Sequence, residues 1–194
     1  MVDDQQLVRE FLDGDDKAFE QLLKSYLSAV YNFIFQMTRE RAVAEDLTQE
    51  TFIKAWRHLA RFDQKKSFKT WLFTIAKNTT YDFFKKKKTL PFSYFEDEEG
   101  KNRLDTVSEG TPLPDEILAA AETSKELDQA LRKIPEPYRE LLLLAYREDF
   151  SLQEIAEILA TPYNTIKSRH QRALKILKQT ILSENASESS LYSY

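Results

Sequence analysis

The chain has 194 residues, 42% of them apolar, a formal charge of −4 and no cysteine. That length supports one large domain or two small ones, and the missing cysteines exclude disulfides and thiolate metal centres. Three glycines and few β-branched runs argue against a sheet protein, whereas apolar residues recur at helical spacing throughout.

The opening segment, MVDDQQLVREFLDGDD, is acidic and lacks an apolar centre, so it does not read as a signal peptide. A short first helix ends at Gly14, and Asp15 or Asp16 can cap the next. From Ala18 to Met37, Phe19, Leu22, Leu23, Tyr26, Val30, Phe33, Ile34 and Met37 repeat at three and four, which predicts a long core-facing helix. A third helix is expected from about Ala42 to Leu59. On it, Leu47, Thr51, Phe52, Ala55, Trp56 and Leu59 share the expected core side. Asp46, Gln49, Glu50, Ile53 and Arg57 share the other, within an arc of about 100°. An isoleucine ringed by acid and amide has the outline of a small docking patch.

A fourth helix begins after Ser67, a good N-cap, and ends in the run Lys85 to Lys88. The stretch FDQKKSFKTWLFTIAKNTTYDFFKKKK interleaves lysines with Phe62, Phe68, Trp71, Phe73, Tyr81, Phe83 and Phe84. Cations for phosphates beside flat faces for unstacked bases are what single-stranded nucleic acid requires. Phe68, Trp71, Leu72 and Ile75 are assigned to the core. Lys65, Lys66, Ser67, Lys69, Lys77, Asn78, Tyr81 and Lys85 are the expected nucleic-acid contacts. Periodicity then stops, and Thr89 to Pro114, with its prolines and the acidic cluster Glu96 to Glu99, has linker composition.

Helices are expected again over Asp115 to Lys133 and Pro135 to Arg147. The longest apolar run, Leu141 to Tyr146, is far below the roughly 20 residues that span a bilayer. Next comes SLQEIAEILATPYNTIKSRHQRA. Ser151 with Glu154 forms a capping box, and Ile155, Ala156, Ile158 and Leu159 form a buried stripe. Thr161 and Pro162 restart a helix as N-cap and first-turn proline. That second helix is expected to bury Ile166, Ala173, Ile176 and Leu177, and no acid occurs from Pro162 to Leu182. Two helices joined by a turn of roughly three or four residues, the second cationic, place side chains in a major groove. Tyr163, Asn164, Thr165, Lys167, Ser168, Arg169, Gln171 and Arg172 are the expected contacts. If Ala160 is left-handed in the turn, where glycine is usual, it costs about 1 kcal/mol. The last dozen residues, SENASESSLYSY, read as a disordered tail.

The charge is segregated. Arg61 to Lys88 holds nine basic and two acidic residues, and Ser93 to Asp128 holds eleven acidic and three basic. Polyanion attraction depends on such patches rather than on the total. The expected fold class is therefore all-α, with two small helical domains, 1–88 and 115–182. An acidic flexible linker, 89–114, joins them, the second domain carries the helix-turn-helix, and 183–194 form the tail.

The segments AEDLTQETFIKAW, FKTWLFTIAKN and IPEPYRELLLLAYREDFSLQEIAEILATPYNTIKSRHQRA, in this order around a lysine run and an acidic linker, resemble bacterial RNA polymerase sigma factors of the compact extracytoplasmic-function type. The resemblance implies that Asp46, Gln49, Glu50, Ile53 and Arg57 dock on the clamp helices of the largest polymerase subunit, with a further contact to the flap. It implies that Phe62 to Lys88 melts and reads the −10 promoter element, a flipped base being held by the Asp63–Ser67 loop and Asn78. It implies that the second domain reads the −35 element, and that the linker crosses the core near the RNA exit path. Promoter DNA, core polymerase and an anti-sigma factor are the implied partners, in the cytoplasm and in a stress response. Membrane insertion and homo-oligomerisation are not expected. Ala160, Pro162-Tyr163-Asn164 and His170 depart from the family pattern and leave the promoter sequence open. Two histidines, His58 and His170, and no glycine-rich phosphate loop give no basis for catalysis, a cofactor or a metal. A helix-turn-helix regulator acting without polymerase would explain only Ser151 to Lys178. An RNA-binding or scaffolding protein would use the lysine run without opening bases.

Overall fold

A computed structural model describes residues 3–87 and 124–191, with side chains over 3–87 and 126–183. Among the described residues there are eight α-helices, one 3-10 turn and no strand. The first stretch forms α1 (Asp4–Leu12), α2 (Asp16–Thr38), α3 (Arg41–His58), the 3-10 turn Leu59–Arg61 and α4 (Phe68–Lys87). The second forms α5 (Ser124–Lys133), α6 (Glu136–Tyr146), α7 (Leu152–Leu159) and α8 (Tyr163–Leu191). The expected linker, 89–114, and the start of the helix expected from Asp115 lie outside the described residues.

Local chemistry sets the helix ends. Asp3 accepts the Gln5 amide at 3.1 Å and Asp15 accepts the Lys17 amide at 2.9 Å, each satisfying one free donor of a helix start. Gly14, at φ +102°, makes the break between α1 and α2. Ser67 accepts from the Thr70 amide at 3.2 Å, capping α4 as expected. The Tyr26 phenol donates to Asp4 and ties α1 to α2. Burial, then that carboxylate, push the phenol pKa upward.

Helices α2, α3 and α4 pack on one another around Leu22, Val30, Ile34, Leu47, Phe52, Leu72 and Phe73. Phe68 sits in a ring cluster with Tyr26, Phe62 and Trp71, at centroid distances of 5.7, 6.0 and 5.7 Å. Two core assignments are corrected here: Ile75 is half-buried, and Trp56 is 53% exposed. Trp56 lies only about 40° round the helix from buried Phe52, but on the side turned away from both neighbouring helices.

In the second stretch, α5 and α6 pack on α8. Helix α8 buries Ile166, Ala173, Leu174, Leu177 and Ile181, while Ile176 is only half-buried. The helix begins at Tyr163, with the Pro162 carbonyl accepting the Ile166 amide at 3.0 Å. Its end lies further on than expected, because α8 continues to Leu191 in place of a tail from 183. Neither proline nor glycine follows Pro162, and an established helix adds residues more readily than a new one forms.

Backbone contacts divide the chain into two compact units. One holds α1–α4 together with 153–160, and the other holds α5, α6 and α8. The apolar residues of α7 (Leu152, Ile155, Ala156, Ile158 and Leu159) spread over an arc of about 160°, wider than one partner helix covers.

Candidate nucleic-acid interface

Three surfaces carry the residues singled out above. On α3, Asp46, Gln49, Glu50 and Arg57 are exposed, and Ile53 among them is 50% exposed. Trp56 is three residues on, so the two form neighbouring apolar groups on one helix surface, a larger patch than the isoleucine alone. The three-residue spacing could have flagged it, but the angle to Phe52 outweighed it. Glu50 pairs with Lys54 at 2.7 Å, and Lys54 also donates to Thr79 Oγ1 at 3.1 Å, linking this face to α4.

The second surface begins in the loop before α4. Asp63 accepts the Lys65 amide through Oδ1 at 3.0 Å and the Lys66 amide through its carbonyl at 2.9 Å, which turns the chain and leaves Lys65, Lys66 and Ser67 exposed. Along α4, Trp71, Thr74, Asn78, Tyr81 and Lys85 follow at alternating spacings of three and four, so they share one stripe about 21 Å long. Asn78 and Lys85 are exposed, and Trp71, Thr74 and Tyr81 are half-buried. Two partly bared rings, an amide and an ammonium thus alternate along one line. Trp71 and Thr74 were missed from the sequence because the tryptophan also touches the core cluster.

Lys77 is a correction of the opposite kind. Expected at the surface, it is only 8% exposed. Its ammonium lies 3.1 Å from Asn78 Oδ1 and 5.1 Å from the Tyr81 ring centroid. Position 77 falls on the α4 side that meets the other helices, and the long apolar stem lets lysine occupy it. Lys69 is half-buried. At the helix end, Lys87 sits 4.7 Å over the Phe83 ring and 3.5 Å from Glu40. Phe62, Phe68, Phe73 and Phe84 are core.

The third surface is α8. Tyr163, Asn164, Thr165, Lys167 and Arg172 are exposed, and Ser168, Arg169 and Gln171 are half-buried. Asn164, Lys167, Ser168, Gln171, Arg172 and Lys175 span an arc of about 140° that contains no acid. Ala160, in the turn before this helix, has φ +51°, the left-handed conformation in which a side chain is strained. His170 meets Tyr146 of α6, with a phenol–imidazole hydrogen bond of 2.9 Å and rings 5.7 Å apart. Burial lowers the His170 pKa and raises that of Tyr146.

Among the described residues no cluster of three or more His, Cys, Asp or Glu could hold a metal, and no helix is long and apolar enough to cross a membrane.

Residues 22–89 match the family model for sigma-70 region 2, and residues 124–177 match that for sigma-70 region 4. Over 178 residues the chain is 33% identical to the ECF RNA polymerase sigma factor SigW of Bacillus subtilis, covering 90% of this chain and 94% of that one. It is 30% identical over 187 residues to the RNA polymerase sigma-H factor of Pseudomonas aeruginosa, covering 92% and 93%. Among solved structures it is similar to the sigma factor RpoE from Bartonella quintana, crystallised with the anti-sigma factor NepR. There the TM-score is 0.63 and the identity 27%, over 85% of this chain and 97% of that one.

Proposed function

Because the chain belongs to the extracytoplasmic-function RNA polymerase sigma factors and so directs promoter-specific initiation of transcription, we propose that its three surfaces divide that work. Asp46, Gln49, Glu50, Ile53 and Arg57 dock on the clamp helices of core polymerase, with Ile53 buried at the centre and the charges around it setting register. Lys65, Lys66, Ser67, Lys69, Asn78, Tyr81 and Lys85 take the non-template strand of the opened −10 element, with Trp71 joining them. Helix α8 reads the −35 element as duplex, through Tyr163, Asn164, Thr165, Lys167, Ser168, Arg169, Gln171 and Arg172.

The α4 stripe supports this division most directly. Rings beside cations suit unpaired bases, and each stacked base contributes on the order of 1–3 kcal/mol, enough to offset the opening of a pair. Helix α8 presents no comparable ring series and suits a closed groove. Residues 1–88 form the docking and melting domain and 115–182 the second reading domain. Residues 89–114 cross the core, their acids standing in for nucleic acid in a basic channel. Neither domain needs to bind tightly alone, because core polymerase holds both on one surface and the two promoter elements are engaged together. The protein acts in the cytoplasm as one copy per polymerase, without a cofactor and without chemistry of its own. An anti-sigma factor that grips it is the fitting regulator.

Reconstitution tests this reading. Purified chain added to core polymerase should yield discrete run-off transcripts from a subset of genomic fragments. A duplex footprint by the chain alone, with no new transcript when core is added, would replace it with a polymerase-independent regulator.

A further inference from the structure

Lys77 lies beneath the exposed stripe and is withdrawn from solvent, so phosphate attraction does not explain it. A buried ammonium persists only where acceptors compensate the water it has lost. Here Asn78 Oδ1 stands 3.1 Å from Nζ, and the face of the Tyr81 ring meets the same charge with its centroid 5.1 Å away. Both neighbours belong to the proposed base-binding line, and Asn78 is exposed.

An asparagine amide carries one acceptor oxygen and two N–H donors, and rotation by half a turn exchanges them. A charge-assisted hydrogen bond to the oxygen selects one of the two orientations. Asparagine reads adenine by giving a donor and an acceptor together, to N7 and N6. With Oδ1 turned towards the ammonium, one of its two lone pairs is taken and the nearby positive charge weakens the other as an acceptor, so the N–H donors are what Asn78 chiefly offers. Donors suit a base bearing an exocyclic carbonyl oxygen: thymine, cytosine or guanine. Adenine has none: beside its N1 and N7 acceptors stands the 6-amino group, which would meet the second amide N–H donor to donor.

We propose that Lys77 is a positioning residue that fixes the Asn78 amide donor-outward, so that the −10 site accepts a base with a carbonyl oxygen and disfavours adenine at that place. This rests on α4 being the single-strand surface. The experiment is selection by reconstituted holoenzyme from fork-junction DNA whose non-template −10 single strand is randomised, followed by sequencing of the bound fraction. The native protein should deplete adenine about tenfold at one position, the scale of one base contact. Lys77→Met removes the charge at similar length and should bring that depletion within about twofold, while Lys77→Arg should keep it. Asn78→Asp offers only acceptors and should turn the preference towards bases with an exocyclic amino group, adenine among them, and away from thymine, which has none. Undiminished adenine depletion in folded Lys77→Met would overturn the proposal. Should that variant not fold, Asn78→Asp decides, and a preference that does not reverse overturns it. If Asn78→Ala selects the same sequences as the native chain, Asn78 touches no base. In that case the single-strand reading of this residue fails, an outcome separate from failure of the Lys77 role alone.

Discussion

Helices α4 and α8 both turn cations towards solvent, but they are built differently. Helix α8 separates its faces cleanly: Ile166, Ala173, Leu174 and Leu177 are buried, and the acid-free arc opposite them is largely bare. Helix α4 mixes its parts. Trp71 belongs to the ring cluster and also to the outer stripe, and Lys77 sits under the residues it supports. A duplex presents its groove ready-made, so its reader needs only projecting side chains on a firm back. An opened strand has no fixed shape, and its reader must supply a surface held rigid from below.

Changes on either helix can break or sharpen that contrast, provided the chain first reaches polymerase. The largest effect is therefore expected on α3. Ile53→Glu should abolish core binding while the helical content and melting temperature stay unchanged, because the side chain is already half in water. Unchanged affinity in a pull-down with core would refute the docking face. On α4, Tyr81→Ala should reduce the opened fraction of bound promoters by about tenfold, the loss expected for one stacked base. Tyr81→Phe should restore most of it. On α8, Arg172→Ala should reduce occupancy several-fold but leave the opened fraction of bound complexes alone. If it meets only a phosphate, the salt slope of binding should fall by about one, with sequence preference unchanged. A loss of opening from the α8 change alone would erase the distinction between the helices.

Smaller effects test the support of α8. Ala160→Gly removes left-handed strain and should stabilise the folded chain by roughly 0.5–1 kcal/mol in chemical denaturation. Destabilisation would mean that the turn is held some other way. The smallest effect concerns His170, whose pKa burial lowers. The unfolded chain then binds this proton more readily than the folded one, so the contribution is present above the ordinary imidazole value of 6.5 and is lost as pH falls below it. His170→Leu should flatten that part of the stability–pH curve, and an unaltered curve would show that the imidazole is not responsible.

The same contrast governs how much the sequence disclosed. The clean periodicity of α8 made its buried and exposed faces legible, save for the exchange of Ile176 by Leu174. Ala160 was legible too, since a residue standing where a turn needs positive φ can be recognised before its angle is known. On α4, aromatic and cationic residues occur all round the helix, so spacing alone could not say which side of Lys77 faced the core. Trp56 and Trp71 were misassigned for a related reason. Each lies at the margin of a buried stripe, where a large ring can satisfy two surroundings and only the neighbouring helices decide. The far end of α8 escaped notice because serine-rich composition argues for disorder, whereas helix continuation depends on what precedes it.

Permanganate probing of unpaired thymines, on a promoter bound by core polymerase and this chain, addresses strand capture by α4 most directly. Thymines of the −10 non-template strand should become reactive with the native protein and stay largely unreactive with Tyr81→Ala at equal occupancy. Equal reactivity in the two complexes, or none in either while transcripts still form, would contradict capture of the opened strand by this helix.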